Sequence, residues 1–158
     1  MNVRKLCLNR LIALRASLVA KPSKKQLLES FVIITLYLMS ALAIGFGTGF
    51  FKPGFLCTGF HLYFIIASSM IIFPSLLEEA VFRVLLLPNP SNLRGGRATA
   101  LASIPSVSLY VAWHPFYASI SGIGIPIFDT PFLSIVLILG ITCTWLYLHT
   151  GSIWLPTI

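Results

Sequence analysis

Acidic side chains are the scarcest component of this 158-residue chain, with four Asp and Glu against eleven Lys and Arg. Charged residues of both signs make up 9% of it, where a soluble domain carries about 25%. With 57% hydrophobic residues and a mean hydropathy of +0.93, the chain has more apolar surface than a soluble core of this size could hide. Cysteine is scarce too. Cys7, Cys57 and Cys143 show no CxxC spacing, which implies neither a disulfide framework nor a zinc site and leaves three free thiols. The alternating short segments of a membrane β-barrel are missing. So is any internal repeat of the kind that marks an inverted-repeat transporter. What remains is a set of continuous apolar runs of roughly 20 residues, the length that crosses about 30 Å of hydrocarbon as a helix. The fold class read from this is all-α, a polytopic membrane helical bundle.

The positive charge is concentrated at one end. Arg4, Lys5, Arg10, Arg15, Lys21, Lys24 and Lys25 precede the first apolar run, and no acid appears before Glu29. A basic arm can bind nucleic acid, but its place beside a span makes it the positive-inside signal that keeps an N-terminus cytoplasmic. No nucleic-acid partner is therefore expected. Residues 1–26 read as a basic cytoplasmic segment and 27–158 as the helical membrane domain. Within the first, Val3, Leu6, Leu8, Leu11, Leu14 and Leu18 among arginines predict an interfacial amphipathic helix on an anionic leaflet. Arg10 and Arg15 interrupt any signal-peptide core, while an Arg-rich organellar transit peptide is a minor alternative. Spans are predicted at roughly 30–51, 60–87, 98–118 and 132–148, with the start of a fifth at 153–158. Gly45, Gly47 and Gly49 in the first suggest close helix packing. Pro74 should kink the second, and Pro105 and Pro115 should perturb the third. This topology puts the 88–97 loop, with Arg94 and Arg97, on the cytoplasmic side, and the 119–130 loop, free of Lys and Arg, outside.

Two of the four acids stand together inside the second run, in Phe73-Pro-Ser-Leu-Leu-Glu78-Glu79-Ala-Val-Phe-Arg83. Ionisable groups at membrane depth are costly and mark functional sites by default. Glu79 and Arg83 are spaced i,i+4 with the acid first, the better orientation for an ion pair. Glu78 is rotated about 100° away on a helix. Glu79–Arg83 then reads as a structural pair and Glu78 as a carboxylate facing a cavity, able to take a proton from water. A buried charge cluster that merely locks helices is the plainer alternative, but such a pair adds little net stability. His114 is the one histidine in the interior of a span, with Tyr110 a turn earlier on the same face. By itself it could equally hydrogen-bond a carbonyl. His61, about 25 Å along the axis from Glu78 at 1.5 Å per residue, and His149, at a span end, read as interfacial. There is no HExxH, and the visible ligands are too few for a metal site. No metal and no cofactor are expected.

Glu78-Glu79-Ala-Val-Phe-Arg83 fits EExxxR, and Tyr110-Val-Ala-Trp-His114 resembles FxxxH with tyrosine for phenylalanine. In these motifs the chain resembles the CAAX-protease and bacteriocin-processing family of intramembrane endopeptidases, over roughly Phe73 to Ile158, with a local flavour similar to cyanobacterial members. The resemblance implies a glutamate-dependent, metal-independent peptidase, multi-pass in a bacterial plasma or thylakoid membrane, acting on a peptide or protein substrate. Glu78 would activate water, and His114 would position the water or stabilise the oxyanion. Glu79, Arg83 and Tyr110 would support them. His149-Thr-Gly-Ser-Ile-Trp-Leu-Pro156 is similar to the lead into the family's third motif, whose histidine would fall just past Ile158. The catalytic set is then incomplete in this chain, through truncation or degeneration. The alternative function is a non-catalytic family member acting as a membrane scaffold or bacteriocin-immunity protein. A more distant one is a proton-coupled carrier with Glu78 and His114 as relay.

Overall fold

In a computed structural model, residues 3–52, 65, 68–69, 71–87, 96–121 and 129–157 are described. All regular structure among them is helical. The expectations for Cys57, His61, the start of the second span, Arg94 and the middle of the 119–130 loop lie outside the described residues.

Helix α1 (Val3–Val19) contains neither Gly nor Pro and stops before Lys21-Pro22. Helix α2 (Lys24–Gly47) starts at a capping box: Ser23 Oγ accepts from the Gln26 amide at 3.3 Å, and Gln26 Oε1 accepts from the Ser23 amide at 2.9 Å. This satisfies two of the amides that a helix start leaves orphaned. Gly49, with φ +72°, turns the chain after α2, a conformation open mainly to glycine. Helix α3 is composite: Ile71–Leu76 is kinked at Phe73, Leu77–Glu79 is α-helical, and Ala80–Leu85 is wound as π turns. The predicted interruption at Pro74 occurs. Phe73 is extended, at φ −143° and ψ 120°, because the proline ring crowds the α conformation of the residue before it.

Helix α4 (Gly96–Ser121) is continuous through Pro105 and Pro115. Membrane helices tolerate such prolines when neighbouring groups take over the freed carbonyls. Helix α5 (Thr130–Thr150) is capped by Asp129 Oδ1, which accepts from the Phe132 amide at 3.4 Å, and stops at Gly151, with φ +68°. A single turn, α6 (Trp154–Thr157), follows.

Helix α5 is the hub and packs against α2, α4 and α6, while α1 packs on α3. One core joins Ala13, Val84, Leu87, Tyr147 and Ile153, and a second joins Phe82, Tyr110 and Val136. Helix α2 buries only Ser30, Ala41 and Gly45, and exposes Phe31, Leu36, Met39 and Phe46. Small residues turned inward and large apolar ones outward are the pattern of a helix whose solvent is lipid. Among the described residues α2 and α5 are long and apolar enough to cross a membrane.

Candidate functional site

Arg83 has no exposed surface and Glu79 is 3% exposed. The ion pair expected from their spacing forms, with Arg83 Nε donating to Glu79 Oε2 at 3.0 Å. Two further helices, α4 and α5, complete the cage. Ser106 of α4 accepts from Arg83 Nη1 at 3.2 Å and donates its own hydroxyl to the Phe82 carbonyl. The Tyr110 ring lies under the guanidinium, 4.6 Å from its carbon, where the ring face attracts a desolvated cation. From α5, the buried Cys143 thiol borders both Glu79 and Arg83. Arg83 Nη2 has no hydrogen-bond partner among the described residues.

Glu78 points elsewhere. Its Oε1 accepts from the indole nitrogen of Trp113 at 3.0 Å, across from α3 to α4. It is half-buried and opens, with Glu79, Ser75, Tyr110, Thr142 and Cys143, onto a cavity of about 290 Å³. A carboxylate offers about four acceptor sites, so the single bond from the indole leaves Glu78 able to accept from a further donor in the cavity.

His114 meets the Tyr110 ring edge-on, with ring centroids 4.4 Å apart and an interplanar angle of 61°, and its Nδ1 lies 2.9 Å from the Tyr110 carbonyl. A carbonyl only accepts, so Nδ1 carries the proton and Nε2 of the neutral ring is left as an acceptor. His114 is not among the residues lining the cavity. The structure thus gathers Glu78, Glu79 and Tyr110 at one cavity and attaches His114 to it through Tyr110. His149 is placed apart, 2.7 Å from Glu29 Oε2 and stacked on Trp145 at 4.5 Å. Among the described residues no group of three His, Cys, Asp or Glu side chains could hold a metal ion.

Trp113, Ser106, Cys143 and Gly140 are absent from the sequence-derived set. Gly140 lets α4 and α5 close up, since a Cβ there would lie 3.0 Å from Tyr110 Cδ1. The Gly45 expected to serve helix packing instead accommodates Phe51 of its own turn, whose ring would be 2.1 Å from an added Cβ. Trp113 carries a sequence signal in hindsight, being a polar-tipped aromatic within a span beside the histidine. Ser106 and Cys143 carry none.

A family model described as type II CAAX prenyl endopeptidase Rce1-like matches residues 58–158. Neither a curated protein nor a solved structure matches the chain.

Proposed function

The chain belongs to the type II CAAX prenyl endopeptidase Rce1-like family, a family of membrane proteases, and from that premise we propose that it is an intramembrane endopeptidase in which Glu78 is the general base. The observation that supports this reading is the division of labour between adjacent carboxylates. Glu79 is committed to a buried arginine, whereas Glu78 lines the cavity and is held there through one oxygen by the Trp113 indole.

The chemistry is a hydrolysis. Water lodged against Glu78 gives it a proton as the oxygen attacks the scissile carbonyl, and the tetrahedral intermediate collapses when Glu78 returns that proton to the leaving amine. Such proton transfer by a positioned group is worth about 10²–10⁴-fold. His114 acts through Nε2. In the neutral ring Nε2 accepts a hydrogen bond from the attacking water and so orients it, while Glu78 takes the transferred proton. Arg83, Glu79 and Ser106 fix the α3–α4 spacing on which the Glu78–Trp113 contact depends. We assign no metal to this mechanism.

The reading extends to topology. Four spans, with α3 and α4 crossing as well as α2 and α5, account for the opposed directions in which these helices pack. The positive N-terminal segment puts the start of α2 in the cytoplasm.

Glu78→Gln in purified protein should abolish cleavage of a peptide substrate, and the unaltered protein should keep cleaving in EDTA. Cleavage lost to chelation would overturn the metal-free mechanism. A Glu78→Gln chain that still performs its role in cells would point instead to a non-catalytic scaffold, the reading favoured by the position of His114 off the cavity wall.

A further inference from the structure

Helix α1 has two apolar faces. At about 100° per residue, Arg10, Ala13, Leu14 and Ser17 form one stripe, and Leu8, Leu11, Ile12, Arg15, Leu18 and Val19 form another, roughly 150° around the helix. The first stripe is docked. Ala13 and Ser17 are buried, and Ala13 joins Val84 and Leu87 in a core. Arg10 Nη1 donates to the carbonyls of Val84 and Leu87 at 3.2 and 2.6 Å, at the C-terminal end of α3. A cation placed on unpaired carbonyls at a helix C-terminus is favoured by the helix dipole. Ser17 O and Leu18 O accept in turn from the Ile153 amide and the Trp154 indole, at 3.2 and 2.9 Å.

Among the described residues nothing covers the second stripe: Leu11 is 63% exposed and Val19 is 67% exposed. Arg15, Lys21 and Lys24, within or just after it, are all exposed, and no acid occurs before Glu29. Trp154, itself exposed, lies at the same level and tethers to Leu18, as aromatic residues do at a membrane interface. An apolar stripe that contains and adjoins cations fits one kind of surface, in which acyl chains lie beneath anionic headgroups. The arginine and lysine stems run along the apolar layer while their heads reach the phosphates.

We propose that the outer face of α1 docks on an anionic lipid leaflet, and that Arg10 straps the C-terminal end of α3 to that surface. The strap matters because α3 also carries Glu78, Glu79 and Arg83. The leaflet and the acidic pair are thereby joined by one helix and two carbonyl contacts. The proposal does not depend on the peptidase reading, and its test does not use activity.

The full chain is reconstituted in nanodiscs of phosphatidylcholine with added phosphatidylglycerol, carrying photoreactive p-benzoylphenylalanine in place of Leu11 or of Asn9. Leu11 should crosslink phospholipid, with phosphatidylglycerol over-represented several-fold relative to its share of the disc. Asn9, near the middle of the arc between the stripes, should give little lipid adduct. Arg15→Gln, Lys21→Gln and Lys24→Gln together should return phosphatidylglycerol to its bulk share while leaving the Leu11 adduct in place. Crosslinking of Leu11 to protein, whether a second copy or another chain, would overturn the lipid assignment, as would the absence of any adduct. Phosphatidylglycerol at its bulk share in the unaltered chain would overturn the anionic preference. For the strap, Arg10→Gln should speed hydrogen exchange several-fold at the amides of residues 84–87 and spare those of α5. Unchanged exchange there would remove the strap.

Discussion

Arg83 keeps a full charge away from any solvent, and each of its contacts answers part of that cost. A carboxylate sits at 3.0 Å, a hydroxyl at 3.2 Å and an aromatic face at 4.6 Å. Removing one partner of such a pair strands the other, a loss of about 3–5 kcal/mol, whereas removing both with apolar groups of like shape is close to neutral. Arg83→Met alone should therefore lower stability in detergent by about 3–5 kcal/mol, and adding the apolar Glu79→Met should recover most of it. A double-variant loss equal to the sum of the two single-variant losses, measured by reversible denaturation, would show that the two side chains are not coupled. Trp113 is the opposite case, a neutral donor serving a charged acceptor. A hydrogen bond to a charged group is worth about 1.5–3 kcal/mol, so Trp113→Phe, which keeps the ring and loses the donor, should lower kcat about 10–100-fold and leave KM nearly unchanged. A raised KM with kcat intact would make Trp113 a substrate contact instead. The Glu79–Arg83 pair was legible because its partners are four residues apart on one helix, so spacing alone specifies their meeting. The Trp113–Glu78 contact was not, because it joins residues 35 apart in sequence and depends on how α4 is rotated against α3.

Single helices show where local sequence decides and where packing does. The break in α3 was readable, since a proline restricts its predecessor sterically whatever surrounds it. The continuity of α4 was not, because two interior prolines remove backbone donors and only the surroundings determine whether the helix bends or holds. Glycine gave the same lesson. The cluster Gly45, Gly47 and Gly49 drew attention through its spacing, yet Gly47 has open space around it and Gly49 serves a turn. The glycine that sets a helix–helix distance is Gly140, alone in its helix, where an added Cβ would stand 3.0 Å from Tyr110. That is tight enough to shift the ring, and the ring carries contacts to Arg83, Phe82 and His114. Gly140→Leu should therefore destabilise by about 1–3 kcal/mol, the usual cost of overpacking. It should also depress activity more than stability alone explains, and Gly140→Ala should fall between. A Gly140→Leu protein with unchanged melting temperature would mean that α4 and α5 can separate freely, and that Tyr110 is not held by their approach.

At the scale of the molecule, the all-helical membrane character was legible from composition, because scarce charge and long apolar runs leave no other fold. The number of crossings was less so. Helices α2 and α5 meet the length and hydropathy of a span, whereas the serines and prolines of α4 dilute its apolar character and α3 is broken at Phe73. The arrangement of ends nevertheless makes a definite claim. Gln26 at the start of α2 donates to the His149 carbonyl near the end of α5, and Phe50 just past α2 meets Phe132 at the start of α5 with ring centroids 6.3 Å apart. The two helices are thus antiparallel. Gly96 and Thr99 of α4 share a cleft with Leu148 and Trp145 of α5, and Gly140 faces Tyr110, so α4 is antiparallel to α5 as well. One end of the bundle then gathers the start of α2, the start of α4, the end of α5 and, through Arg10, the end of α3. Arg15, Lys21, Lys24 and Lys25 belong to that end, and Lys52 lies at the other. By the positive-inside rule the expected orientation puts the basic end in the cytoplasm. In single-cysteine variants expressed in cells, a membrane-impermeant maleimide added outside should label a cysteine placed at Thr48 and miss one placed at Ser23, and permeabilisation should expose the second. Labelling of both from outside would mean that α2 does not cross, and labelling of Ser23→Cys alone would invert the bundle and put its basic end outside.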